Sequence, residues 1–184
     1  MCYRCAMSRY RRSLAAGGTF FFTVNLADRK SRLLTDEYAR LQRAVDTARA
    51  RHPFRTLAYC VLPDHLHAIW QMPESDADFG LRWRVIKRMF TSGLAASAAR
   101  TTSKISKREK GVSQRRFWEH QIRDDADLQR HVDYIHYNPV KHRHARCVHE
   151  WPHSSFHAYV ARGWLPNDWG AGPDTEGANW SERV

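Results

Sequence analysis

Residues 55 to 73 read RTLAYCVLPDHLHAIWQMP. Two apolar, strand-length runs flank Pro63 and Asp64, and so short a break joins antiparallel neighbours, so the stretch reads as a hairpin. On its second strand His65 and His67 stand either side of Leu66. Alternate side chains of a strand share a face, so the two imidazoles project together while Leu66 points to the core. Such a pair could give one divalent cation two of its ligands, or could be two polar residues on the solvent face of an ordinary sheet. The pair alone does not separate these readings.

Upstream, GGTFFFTVNLADR sets a Gly-Gly turn ahead of a strand over Phe20 to Leu26. TDEYARLQRAVDTARARH then predicts a helix: Thr35 is its N-cap, acids follow in the first turn, Tyr38, Leu41 and Val45 keep helical spacing, and it stops before Pro53. Downstream, residues 78–99 repeat Phe79, Trp83, Ile86, Phe90 and Leu94 at intervals of three or four. That predicts an amphipathic helix whose other face carries Arg82, Arg84, Lys87 and Arg88. Residues 100–116, RTTSKISKREKGVSQRR, have little to bury and read as a mobile basic loop. FWEHQIR resumes strand character, and DDADLQRHVDYIHYNP opens with acids, runs helically and ends at Pro139.

The first six elements follow the βαββαβ order of an α+β, ferredoxin-like fold, an antiparallel four-stranded sheet with helices on one face. The last helix is an addition. The chain divides into a basic N-terminal arm (1–15), one domain (16–145) and a tail (146–184) packed on it or partly flexible.

Thirty Lys and Arg against nineteen Asp and Glu, a net +11 over 184 residues, make a polyanion the first partner to consider, because phosphate contacts release condensed counterions. Four scattered cysteines exclude a disulfide scaffold and fit a reducing cytoplasm. Cys2 and Cys5 form a CxxC without the second pair a zinc ribbon needs. No run reaches the roughly 18 apolar residues of a membrane span, and the N-terminus lacks the apolar core of a signal peptide.

The last helix bears on the histidine pair. Tyr134 and Asn138 are four residues apart and share one helical face. An amide oxygen suits magnesium or manganese and could be a third ligand beside His65 and His67, with Tyr134 one turn away as a nucleophile toward a phosphate. Taken singly, Tyr134 reads better as a core or half-buried helix aromatic and Asn138 as a C-terminal cap before Pro139.

LPDHLHAIW and HVDYIHYNPVKH resemble the His-hydrophobic-His and tyrosine-helix motifs of the single-tyrosine HUH endonucleases, and most closely those of the REP-associated tyrosine transposases. GGTFFFTVNL and RRFWEHQIRD resemble the same family, so the likeness covers most of residues 10–160. It implies an HUH endonuclease fold and a metal-dependent nickase and strand transferase for single-stranded DNA. Such an enzyme acts at hairpins of repetitive extragenic palindromes (REP), each flanked by a tetranucleotide guide. His65, His67 and Asn138 would bind magnesium or manganese. Tyr134 would attack the phosphodiester to give a 5′-phosphotyrosine and a free 3′-OH. Tyr137 is the competing tyrosine, but lacks the four-residue offset to Asn138. His131 and His136 are candidate proton shuttles, or else exposed residues or phosphate contacts. The chain departs from the pattern in its basic loop, longer than the family core requires, and in KHRH, where a glycine is expected after the first histidine.

For the DNA, the stem candidates are Arg82, Arg84, Lys87 and Arg88 of the second helix and Lys104, Lys107, Arg108, Lys110, Arg115 and Arg116 of the loop. Arg4, Arg9, Arg11 and Arg12 of the arm could reach a groove or the guide bases. The expected setting is cytoplasmic and nucleoid-associated, with a monomer favoured over a helix-exchanging dimer. The alternative is a catalytically silent DNA-binding protein on the same fold. An RNA-binding sheet of this topology would carry aromatics on its central strands, where this chain has histidines.

Overall fold

In the computed structural model, residues 15–97, 102–107 and 109–171 are described. Arg4, Arg9, Arg11, Arg12, Arg108, Cys2 and Cys5 lie outside them. The strands are β1 (Thr19–Asn25), β2 (Arg55–Val61), β3 (His65–Gln71) and β4 (Trp118–Gln121), ordered β2-β3-β1-β4 and antiparallel throughout. The predicted hairpin is β2–β3, and the crossovers that place β1 between β3 and β4 give the expected ferredoxin-like order.

Every strand but short β4 is buried on both faces. Phe20, Phe22 and Val24 of β1 and Leu66, Ala68 and Trp70 of β3 face one core with helices α2 (Tyr38–Arg51) and α3 (Phe79–Thr91), where Trp70 stacks on Trp83 at 4.2 Å. Phe21 and Ile69, one residue out of phase, face a second core with Ala58, Cys60 and Leu62 under Val132, Tyr134 and Ile135 of α5 (Asp125–Lys141). The added helix therefore lies on the face that the first six elements leave open. His65 and His67 are 3% and 0% exposed, so the wet-strand reading is excluded.

Several boundaries differ from expectation. A separate short helix, α1 (Leu33–Asp36), precedes α2, and Thr35 sits inside it, donating to Arg32 O rather than capping. α3 stops at Thr91 rather than 99, because Gly93 takes a left-handed φ of 80°. α5 begins on Asp124, whose carboxylate accepts Asp127 N–H at 2.7 Å, but it runs through Pro139 to Lys141. A proline this near a helix end forfeits one hydrogen bond and need not break the helix. The turn beyond is a Schellman motif: His144 N–H reaches Pro139 O and Arg143 N–H reaches Val140 O, with Arg143 at φ 59°.

The basic loop is tethered where it is described. It contains α4 (Thr102–Ser106), Lys110 Nζ donates to Thr91 O and Leu94 O, and Ser113 bridges to Leu26. The C-terminal segment packs on the free edge of β2: Ser155 N–H donates to Tyr59 O, Val61 N–H to His153 O, and Trp151 Nε1 to Val61 O. Phe156, opening α6 (Phe156–Ala161), is fully buried.

Candidate active site and metal centre

His65 and His67 owe their common direction to β3, with rings 5.0 Å apart at 86°. His65 Nδ1 lies 2.7 Å from Asp64 Oδ1, and Asp64 is held in turn by Arg29 Nε at 2.9 Å. A carboxylate beside Nδ1 accepts a hydrogen bond from Nδ1–H and so leaves the Nε2 lone pair for the site. His67 Nδ1 lies 2.9 Å from Thr23 Oγ1, directly across the strands. When His67 donates there, Nε2 becomes the acceptor, and it is buried with no hydrogen-bond partner among the described residues. Burial, then the charges of His65, His142, Lys141 and Arg29, push the His67 pKa well below the ordinary imidazole value. A neutral imidazole with an unused lone pair is the form that binds a metal.

α5 lies over this pair. The Tyr134 ring is 5.1 Å from His67, and His142, at the helix C-cap, has its ring 5.2 Å from His65. Residues 134, 138 and 142 form one i, i+4, i+8 stripe. Asn138 thus lies between a residue touching His67 and a residue touching His65. It is fully buried, and neither amide atom has a hydrogen-bond partner among the described residues. Burying an unpaired amide costs about 1–3 kcal/mol. Two imidazoles and an amide oxygen suit a divalent cation, and these orphaned atoms fit one. Lys141 Nζ sits 4.8 Å from the centre of the Tyr134 ring, setting positive charge beside the candidate nucleophile.

Tyr137 faces elsewhere, its ring beside Gly170. His131 and His136 are both buried, not exposed. His136 Nε2 meets Ser155 Oγ at 2.9 Å, and its ring lies against Phe156 and Tyr159, away from the site. Asp64 and His142 were missed by the sequence reading. His142 carried a signal, its four-residue offset from Asn138.

A second constellation comprises His120, Asp127 and His131, one ligand atom from each lying within 4.8 Å of the others, a composition that could hold a divalent metal. Its carboxylate and two of its ring nitrogens are engaged, while His131 Nε2 is buried with no hydrogen-bond partner among the described residues. Asp127 Oδ2 accepts from His120 Nε2 at 2.8 Å and Arg123 N–H at 3.1 Å, Oδ1 accepts from Arg130, and His131 Nδ1 donates to Asp127 O.

Arg82 is corrected from DNA contact to structural residue. It is 1% exposed, and its guanidinium donates to Pro53 O, His52 O and Asp78 O and pairs with Asp76 at 2.8 Å. It lies three residues after Phe79 and four before Ile86, on the buried stripe. Arg84 and Arg88 are exposed one turn apart and line a cleft of about 670 Å³ with Lys87, Lys110, Arg115 and Phe117. Lys87, Lys110 and Arg115 are partly spent on internal bonds to Gln114 O, Thr91 O and Glu109. Lys107 and Arg116 are exposed, and Lys104 partly so.

An antiparallel sheet whose central strand presents a His-Leu-His pair beneath a tyrosine-bearing helix is an HUH-type fold. A REP-associated tyrosine transposase of Escherichia coli K12 is 47% identical over 163 residues, covering 89% of this chain and 91% of its own. A Haemophilus influenzae protein of the same designation is 46% identical over 169 residues, covering 91% and 96%. The solved structure of a REP-associated tyrosine transposase bound to a REP hairpin superposes with a TM-score of 0.80 at 45% identity, covering 97% of this chain and 99% of that one. No protein-family model matches the chain. The chain belongs to the REP-associated tyrosine transposases.

Proposed function

We propose that this protein is a divalent-metal-dependent nickase and strand transferase for single-stranded DNA at REP hairpins, with Tyr134 as its nucleophile. The observation that carries the reading is the stripe of Tyr134, Asn138 and His142 lying over His65 and His67. The hairpin-bound relative supports the substrate class. Tyr134 Oη attacks phosphorus, the bond from phosphorus to the 3′ oxygen breaks, and the chain is left with a 5′-phosphotyrosine. The phenol gives up its proton and the departing 3′ oxygen takes one up. A later 3′-OH reverses the exchange, so no external energy source is needed. His65, His67 and Asn138 hold magnesium or manganese, which when bound polarises the target phosphate and lowers the barrier. The His120, Asp127 and His131 group, whose carboxylate oxygens are both already hydrogen-bonded, is the lesser candidate for that ion. Arg84, Arg88, Lys107 and Arg116 supply sequence-independent grip on the stem, and the protein acts as a monomer, its tyrosine helix on its own sheet.

The test incubates the protein with an end-labelled REP hairpin carrying a single-stranded flank, with magnesium or manganese, and reads a denaturing gel for a covalent adduct. Wild type forms it, Tyr134→Phe does not, and His67→Ala or a chelator suppresses it. An adduct that survives Tyr134→Phe overturns the assignment. Binding with no adduct from wild type under either metal supports the catalytically silent alternative instead.

A further inference from the structure

Among the described residues the large apolar side chains left exposed are Ile105, Trp164 and Trp118, and of these Trp118, 39% exposed, stands on the sheet, on edge strand β4. Its position in the register is informative. Thr23 pairs with Trp118 on one side and with His67 on the other, so the three form one row on one face of the sheet. Two strand spacings, roughly 10 Å, separate Trp118 from His67. The Trp118 ring stands edge-on to Phe21 at 5.6 Å, and Phe21 in turn touches His67 and Tyr134 at 5.4 and 5.9 Å.

The indole is also fixed in orientation. It lies parallel to His120 within 7°, at 6.1 Å, and His120 stacks on His131 at 4.8 Å. Asp127 clamps His120, and is itself held by Arg123 N–H and Arg130. This gives the second histidine cluster a physical purpose: it anchors a pile of rings whose outer member is open to solvent. Arg116, two residues before Trp118 in the chain, and Arg123 and Arg130, both bonded to Asp127, are exposed.

From this geometry we propose that Trp118 is a base-stacking subsite for an unpaired nucleotide of the substrate strand, within about three nucleotides of the scissile phosphate. The reach follows from roughly 3.4 Å per stacked nucleotide along the row from His67. A partly exposed aromatic with cationic side chains nearby binds a nucleobase by stacking while the cations take the adjoining phosphates. The inference rests on the nickase reading for its substrate and goes beyond it by naming the residue that positions the strand.

The experiment measures equilibrium binding, not cleavage, so that it stands apart from the adduct assay. Fluorescence anisotropy is recorded for the full chain with hairpins in which each unpaired nucleotide near the cleavage position is made abasic in turn. For wild type one position should cost about tenfold in affinity. Trp118→Ala should lose about the same factor on intact DNA and become indifferent to that abasic position, while Trp118→Phe keeps most of the affinity and the position effect. A Trp118→Ala protein that binds intact hairpin as wild type does, or that retains the abasic penalty at every position, overturns the proposal. Circular dichroism checks the fold of each variant, and Trp118→Phe serves as the reading should the alanine protein not fold.

Discussion

Asn138 costs the metal-free protein stability, because its amide is buried without a partner among the described residues. Asn138→Leu, similar in volume and apolar, should raise the melting temperature of metal-free protein by a few degrees and abolish any further rise on adding magnesium or manganese. Thermal scans with and without chelator check both halves. His136 makes a pH prediction. Burial lowers its pKa to about 4 from 6.5, so the folded state holds it neutral where the unfolded chain binds a proton. The unfolded state therefore takes up more protons between those values, and stability falls as pH drops from about 6.5 toward 4, being fully present above that range. The full loss is of order 3 kcal/mol for this group. Urea midpoints at pH 7 and pH 4.5 should differ less in His136→Gln than in wild type.

At the scale of the element, the end of α5 carries a local conflict. Arg143 occupies the left-handed position of the Schellman turn, where a residue with a Cβ is strained by about 1 kcal/mol relative to glycine. This is the KHRH position where the family pattern expects glycine. Arg143→Gly should stabilise the protein by about that amount and raise its melting temperature by roughly 2–4 °C, read by calorimetry. Helix and strand identity was legible because each core-facing period is long and clean. Helix ends were less so: Gly93 marks the stop of α3 through its conformation, and Pro139 fails to stop α5 because only the last turn remains beyond it.

At the scale of the molecule, both sheet faces and the β2 edge are covered by one continuous chain, α5 running directly into the segment that bonds to β2. Truncation after residue 147 should expose the backbone groups of Tyr59 and Val61 that Ser155, His153 and Trp151 now satisfy, leaving an unprotected edge strand. The expected outcome is association at concentrations where the full chain is monodisperse, measured by light scattering. Among the described residues no helix is long and apolar enough to cross a membrane.

The linear pattern by itself determined the order of the four strands and the three long helices, the shared direction of His65 and His67, and the common helical face of Tyr134 and Asn138, since each follows from a local period of two or about 3.6 residues. Only the tertiary structure decided that α5 lies over the histidine pair, that Asp64 and His142 border it, that Arg82 is buried rather than facing DNA, and that Trp118 stands in the row of His67. Those facts depend on strand pairings and helix packing between residues tens of positions apart, and no local period records which face of a sheet a distant helix will cover.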